Sequence, residues 1–205
     1  MLQSPIICLV TGGGTPTALQ GLIRSAAFAG VTLIQIREPS LGDPALLSLT
    51  QKAIEETRET GCQIVVNDRM DIALAAGAAG IHLRGTSFSA RRVREKAPAG
   101  FLIGRSVHDV GEAVAAAASG CDYLIFGTVF PSRNKPPGHP VAGLNELHEV
   151  ATAAEIPVIA IGGISLENAC SALAAGAAGV AAIDLFRGNT LPGTIVSELR
   201  RSFDT

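Results

Sequence analysis

Residues with chemical capacity recur at one kind of place in this chain, just past a short apolar run. His108 follows the run at 101–105. An imidazole with a free pKa of about 6.5 can accept and donate a proton at neutral pH. That makes His108 the candidate acid/base; the competing reading is a helix-start histidine beside a capping Asp109. Ser106 lies on the same stretch. Arg37 closes the run at 33–37, two residues after Gln35, and its planar fork suits a carboxylate. Its competing partners are Glu38 and Asp68, in a structural ion pair. Asn67 and Asp68 follow the run at 63–67, where they can orient a histidine or a bound ring, or simply turn the chain. Ser132 and Lys135 lie in the polar segment 128–135 that follows the run at 123–126. Gly162 and Gly163 follow the run at 158–161, and Ile183 and Asp184 end the run at 179–183. Backbone N–H groups in a glycine turn and at a helix start can cradle an anion; a tight turn alone would also ask for glycine.

Other candidates carry less. His82 sits inside Gly80-Ile-His-Leu and is expected to fill the interior, while His139 and His148 are expected to face solvent. Arg91, Arg92, Arg94 and Lys96 read as a solvated helix face rather than a nucleic-acid site. The four cysteines are far apart, without CxxC or metal-ligand spacing, and are expected to be buried reduced thiols.

The elements that must position these groups alternate regularly. Eight apolar runs, at 6–10, 33–37, 63–67, 80–83, 101–105, 123–126, 158–161 and 179–183, are rich in Ile, Val or Leu. They show no polar alternation, which marks strands of a parallel sheet buried on both faces. Helical segments are expected at 17–29, 44–60, 70–76, 89–97, 110–119, 144–154, 166–175 and 194–203, with Asp43-Pro44, Ser89, Asp109 and Ser165 as starts. Eight strands each followed by a helix is the pattern of an α/β (β/α)8 TIM barrel, whose active site lies at the C-terminal strand ends. The runner-up is an open doubly wound sheet, but Thr11-Gly-Gly-Gly lacks GxGxxG spacing. Leu74-Ala-Ala-Gly-Ala-Ala-Gly-Ile returns at Leu173 as Leu-Ala-Ala-Gly-Ala-Ala-Gly-Val, an offset of 99 residues in a chain of 205. A repeat of nearly half the chain suits strands four and eight of a barrel.

Composition narrows the function class. The net charge is −2, which gives no basic footprint for nucleic acid. Hydrophobic residues make up 47% and aromatics 4%, with no Trp, so a large core is available but no base-stacking or sugar-binding platform. No run approaches the roughly 20 apolar residues of a membrane helix, and the N-terminal run is too short for a signal segment. The expectation is one cytoplasmic domain over residues 1–205, without membrane or nucleic-acid partners.

Taken together the motifs are familiar. Gln35-Ile-Arg-Glu, Asn67-Asp-Arg-x-Asp-x-Ala, Gly80-Ile-His-Leu, Ile103-Gly-Arg-Ser-Val-His, Phe126-Gly-x-Val-Phe-Pro and Ile156-Pro-Val-Ile-Ala-Ile-Gly-Gly-Ile resemble the thiamine phosphate synthase/TenI superfamily over residues 6–186. The resemblance implies a barrel acting on thiazole and pyrimidine precursors of thiamine, and a homodimer. Its synthases join a pyrimidine diphosphate to a thiazole phosphate with Mg²⁺ and release pyrophosphate. Two of their positions differ here: Pro39 stands for the Lys that meets the diphosphate, and Ser87 for one of two metal-binding Asp residues, leaving Asp68. One carboxylate is a poor anchor for octahedral Mg²⁺.

These departures favour the superfamily's other activity, a TenI-like thiazole tautomerase. That isomerase needs no metal or other cofactor and aromatises a carboxythiazole phosphate. The resemblance implies His108 as acid/base, with Gln35, Arg37, Asn67, Asp68, Ser106, Ser132 and Lys135 meeting substrate. It also implies Gly162, Gly163, Ile183 and Asp184 at the phosphate. The alternatives are the synthase, using Mg²⁺, and a non-catalytic thiazole or thiamine phosphate-binding protein. Asp184 stands where the family usually has Ser, and its carboxylate would repel phosphate unless Arg187 neutralises it.

Overall fold

The computed structural model describes residues 2, 4–132, 135–136, 138–188 and 190–203. Eight strands close into one parallel barrel in sequence order: β1 (Ile6–Val10), β2 (Leu33–Ile36), β3 (Gln63–Asn67), β4 (Gly80–Leu83), β5 (Leu102–Val107), β6 (Tyr123–Phe126), β7 (Val158–Ile161) and β8 (Gly179–Ala182). β8 pairs back onto β1, with Ile7 opposite Val180, and that pairing removes the last free edge. The expected TIM barrel is therefore present.

Helices follow the strands as α1 (Pro16–Phe28), α2 (Asp43–Thr57), α3 (Met70–Ala76), α4 (Ala90–Arg94), α5 (Val110–Ala118), α6 (Gly143–Ala153), α7 (Ala169–Ala174) and α8 (Pro192–Phe203). A 3-10 turn, Asp184–Phe186, lies between β8 and α8. No described helix is long and apolar enough to cross a membrane.

The unbroken apolar runs are explained by two separate cores. Ile6, Cys8, Val10, Leu33, Val65, Tyr123, Ile125 and Ile159 fill the barrel interior. Their strand neighbours, among them Ile7, Leu9, Ile34 and Val66, point outward and pack beneath the helices. Most strand positions are thus dry on both faces, and the inward-facing polar residues Gln35, Asn67, His82 and Ser106 come toward the C-terminal strand ends. Inside, Tyr123 is accommodated because β5 carries Gly104 beside it; a Cβ there would fall on the phenol ring.

The internal repeat has a structural counterpart. Gly77 and Gly176 end α3 and reverse the chain after α7 with φ of 73° and 99°. Gly80 and Gly179 then open β4 and β8, where a Cβ would run into the next strand's backbone carbonyl, of Leu102 and Ile6 respectively. Both copies solve the same problem, entry of a strand against a closely placed neighbour.

Several local expectations are corrected. β5 extends to Val107, so Ser106 is a strand residue opposite Ile125. Gly42, not Asp43, holds the cap position of α2. Ser165 does not start a helix: its N–H donates to Asn168 Oδ1 at 2.8 Å, and α7 begins at Ala169. Ser89 has cap geometry without a side-chain bond, whereas Asp109 Oδ1 accepts from Glu112 N at 2.8 Å as expected. Cys170 is exposed rather than buried, although all four cysteines are free thiols. His139 is half-buried rather than solvated, with Nε2 3.3 Å from Thr128 Oγ1.

Candidate active site

A cavity of about 680 Å³ opens at the C-terminal ends of the strands, a size suited to small-molecule ligands. Its floor is barrel interior, Val10, Ile125, Ile161 and Ala181; its walls are the rim loops. Of the twelve residues expected to form the site, Gln35, Arg37, Asn67, His108, Ser132, Lys135, Gly162, Gly163, Ile183 and Asp184 line it. Asp68 and Ser106 stand behind that lining. Arg133 and Asn134, in the same loop as Lys135, lie outside the described residues.

The two polar residues of the floor are locked together. Gln35 is almost fully buried, and its Nε2 donates to Asn67 Oδ1 at 2.9 Å. This leaves the Gln35 carbonyl and the Asn67 N–H groups for a ligand. Ser106 touches His82, which does line the cavity: His82 Nε2 is 2.9 Å from Ser106 Oγ and Nδ1 is 3.2 Å from Tyr123 Oη. His82 thus fills the interior as expected but also faces the site. Desolvation by burial, helped by the nearby Arg105 charge and opposed by Asp68, pushes its pKa down to about 3. The ring is neutral at physiological pH. The missed signal was the pairing of His82 with Gly104 and Tyr123, which spacing along the chain does not reveal.

Charge is distributed unevenly. Arg37, Lys135 and Arg187 line the cavity, with Asp184 as the one carboxylate among the described lining residues. The three cations have no side-chain ion pair or hydrogen bond among the described residues. The suspected competitors of Arg37 are engaged elsewhere. Both oxygens of the buried Glu38 carboxylate accept from Gly13 N, at 3.2 and 2.9 Å. Asp68 accepts from Arg84 Nε at 2.7 Å, and also from Arg84 Nη2 and Ser87 Oγ. Arg37 therefore faces the cavity as a free guanidinium, in the manner of an anion contact.

The residues expected to cradle a phosphate lie together on the cavity wall. Gly162 and Gly163 take φ of 97° and 62°, a region that side chains rarely adopt. Space also demands glycine: a Cβ on Gly162 would lie 2.8 Å from Thr128 Cα, and one on Gly163 would strike Pro131 O. Ile183 packs on Gly12, so the ends of β8 and β1 support each other. Asp184 begins the 3-10 turn, with Ile183 in its cap position. Arg187 N donates to Asp184 O at 3.0 Å, while the Arg187 guanidinium lies beside Gly12 and Gly13.

His108 sits at the cavity mouth, 63% exposed, with Nδ1 3.2 Å from Glu112 Oε2. The same Glu112 oxygen accepts from His108 N at 2.8 Å, which fixes the residue ahead of α5.

The residues do not fit the two-carboxylate Mg²⁺ site that the resemblance implies. Asp68 has an arginine and a serine against its oxygens, and no cluster of three or more His, Cys, Asp or Glu among the described residues could hold a metal ion.

Comparison with known proteins gives consistent results. A family model described as thiamine monophosphate synthase matches residues 7–186. A thiamine-phosphate synthase of Methanoculleus marisnigri is 42% identical over 167 residues, covering 82% of this chain and 79% of that relative. One from Methanoregula boonei is 35% identical over 194 residues, covering 95% and 89%. A solved thiamine phosphate pyrophosphorylase of Pyrococcus furiosus superposes with a TM-score of 0.85 at 31% identity, covering 97% of this chain and 95% of that one. These relatives are transferases by name, and they overturn the expected TenI-like tautomerase and its isomerase class. The physical error lay in reading Pro39, in place of a Lys, and Ser87, in place of a metal carboxylate, as leaving a diphosphate without neutralising charge, when Arg37, Lys135 and Arg187 still line the cavity.

Proposed function

The chain belongs to the thiamine monophosphate synthase family, and from that premise we propose that it joins a pyrimidine diphosphate to a thiazole phosphate, releasing pyrophosphate. The observation that carries the reading is a cavity whose described lining holds three cations without a side-chain partner among the described residues and one carboxylate, in a barrel whose relatives are named for this synthesis. When the pyrimidine unit parts from its diphosphate, negative charge accumulates on the leaving group. Fixed cations stabilise that charge more in the transition state than in the ground state.

On this reading the thiazole phosphate rests on the backbone of Gly162 and Gly163 and on the turn at Ile183 and Asp184. Gln35 and Asn67 hold the ring of the pyrimidine unit by hydrogen bonds, and Ser106 positions the His82 ring beside them. Arg37, Ser132 and Lys135 meet the diphosphate, and Asp68 positions the Arg84 loop beside them. His108 closes the mouth and contributes a polar contact rather than the proton transfer of a tautomerase. In the family Mg²⁺ neutralises diphosphate; the steps assigned here belong to this chain's own side chains.

Incubating the purified protein with both substrates should yield thiamine phosphate and one pyrophosphate per product, resolved by chromatography. Absence of both products with Mg²⁺ supplied would refute the reading.

A further inference from the structure

At the adjoining ends of β3 and β4, a carboxylate, a guanidinium and a hydroxyl form a closed group. Asp68 is largely buried, with its side chain 16% exposed, and its backbone is held at a φ of 56°. Arg84 Nε donates to Asp68 Oδ2 at 2.7 Å, and Arg84 Nη2 reaches the same oxygen. Ser87 Oγ donates to Asp68 Oδ1 and accepts from Arg84 N at 3.0 Å. A carboxylate offers about four acceptor positions, so three of them are used by the protein. The loop carrying Ser87 is held by Arg105, whose guanidinium donates to Phe88 O and Ser87 O, each at 3.1 Å. The arrangement is therefore built rather than incidental to one flexible side chain. It also abuts the cavity: Asp68 follows Asn67, and Gly85 lies beside His108, both of which line it.

We propose that Arg84 is the resident cation of this rim, tethered by Asp68 and placed by Ser87, and that the protein binds its diphosphate-type anion without a divalent ion. A guanidinium already seated on the carboxylate repels a second cation and removes the oxygens that cation would need. Arg84 itself is 64% exposed, so its remaining donors can turn toward an anion held by Arg37 and Lys135. The identity of that anion rests on the synthase reading; the cation assignment does not, because it can be tested without turnover.

The test is calorimetric titration of the whole protein with inorganic pyrophosphate, in EDTA and in Mg²⁺, alongside Mn²⁺ titration followed by electron paramagnetic resonance. Pyrophosphate should bind in EDTA within about threefold of its affinity in Mg²⁺. Arg84→Gln should weaken it by about tenfold, the worth of one charge-assisted contact. Mn²⁺ should show no saturable site in the natural sequence, but should gain one when Arg84→Gly and Ser87→Asp are combined. Pyrophosphate binding that requires Mg²⁺, an Arg84→Gln variant that binds unchanged, or a saturable Mn²⁺ site removed by Asp68→Asn would each overturn the proposal. If thiamine phosphate synthesis fails while metal-free pyrophosphate binding and its Arg84 dependence hold, the functional reading falls and this one stands.

Discussion

His82 Nε2 and Ser106 Oγ lie 2.9 Å apart beneath the cavity, and the His82 tautomer sets which of the two donates. A neutral imidazole has one donor and one acceptor nitrogen. Tyr123 is fully buried, and its hydroxyl meets His82 Nδ1 at 3.2 Å. If Tyr123 donates to Nδ1, Nε2–H donates to Ser106 Oγ and the serine proton is free for a ligand. In the opposite tautomer Nδ1–H donates to Tyr123 Oη and the Ser106 hydroxyl donates to Nε2. Ser106→Ala should lower stability by about 1–3 kcal/mol, because it leaves the buried His82 without its Nε2 partner, and should lower kcat/KM through the displaced ring. Unaltered steady-state kinetics would remove Ser106 from the site.

Stability should fall on acidification through His82. Its folded pKa, about 3, lies below the ordinary 6.5. The unfolded chain therefore takes up a proton that the native state refuses. The stabilisation is complete above about pH 6.5 and is lost as pH falls toward 3, at up to about 1.4 kcal/mol per pH unit. Urea unfolding of His82→Gln between pH 7 and 4 should show a shallower decline than the natural sequence. Parallel curves would mean that His82 takes up its proton equally in the folded and unfolded chain, so that burial does not lower its pKa.

Arg37→Ala and Lys135→Ala should each raise KM for the diphosphate substrate by roughly 5- to 100-fold, as expected for loss of a charge-assisted contact. Both effects should shrink as salt is added, because the parent interaction is itself screened. A salt-independent loss would point to misfolding of the rim rather than to lost charge.

Gly163→Ala combines a left-handed backbone, φ 62°, with a methyl directed at the Pro131 and Phe130 carbonyls. We expect about 1–3 kcal/mol of destabilisation and a weakened affinity for inorganic phosphate. Thermal unfolding checks the first part and calorimetry the second. A variant of normal stability and affinity would show that the turn relaxes at no cost.

Asp184 opposes its cationic neighbours on the cavity wall. Asp184→Ser should tighten thiazole phosphate binding by about two- to fivefold at low salt, with the gain fading as ionic strength rises. Weaker binding would instead mean that the carboxylate organises the turn that follows β8.

The barrel and the location of its rim were legible in the sequence. A parallel sheet wrapped by helices is dry on both faces, so its strands appear as unbroken apolar runs, and the chemistry collects where those runs stop. Ten expected residues line one cavity for that reason. The assignment of charges to partners required the folded chain. Asp68 belongs to Arg84 and Ser87, sixteen and nineteen residues away, which frees Arg37 for the cavity. His82 finds Ser106 and Tyr123, twenty-four and forty-one residues away, and becomes part of the site instead of inert filling. Burial and strand period leave their mark locally along a chain. A hydrogen bond between neighbouring strands joins residues separated by whole helices, and its geometry exists only after the barrel has closed.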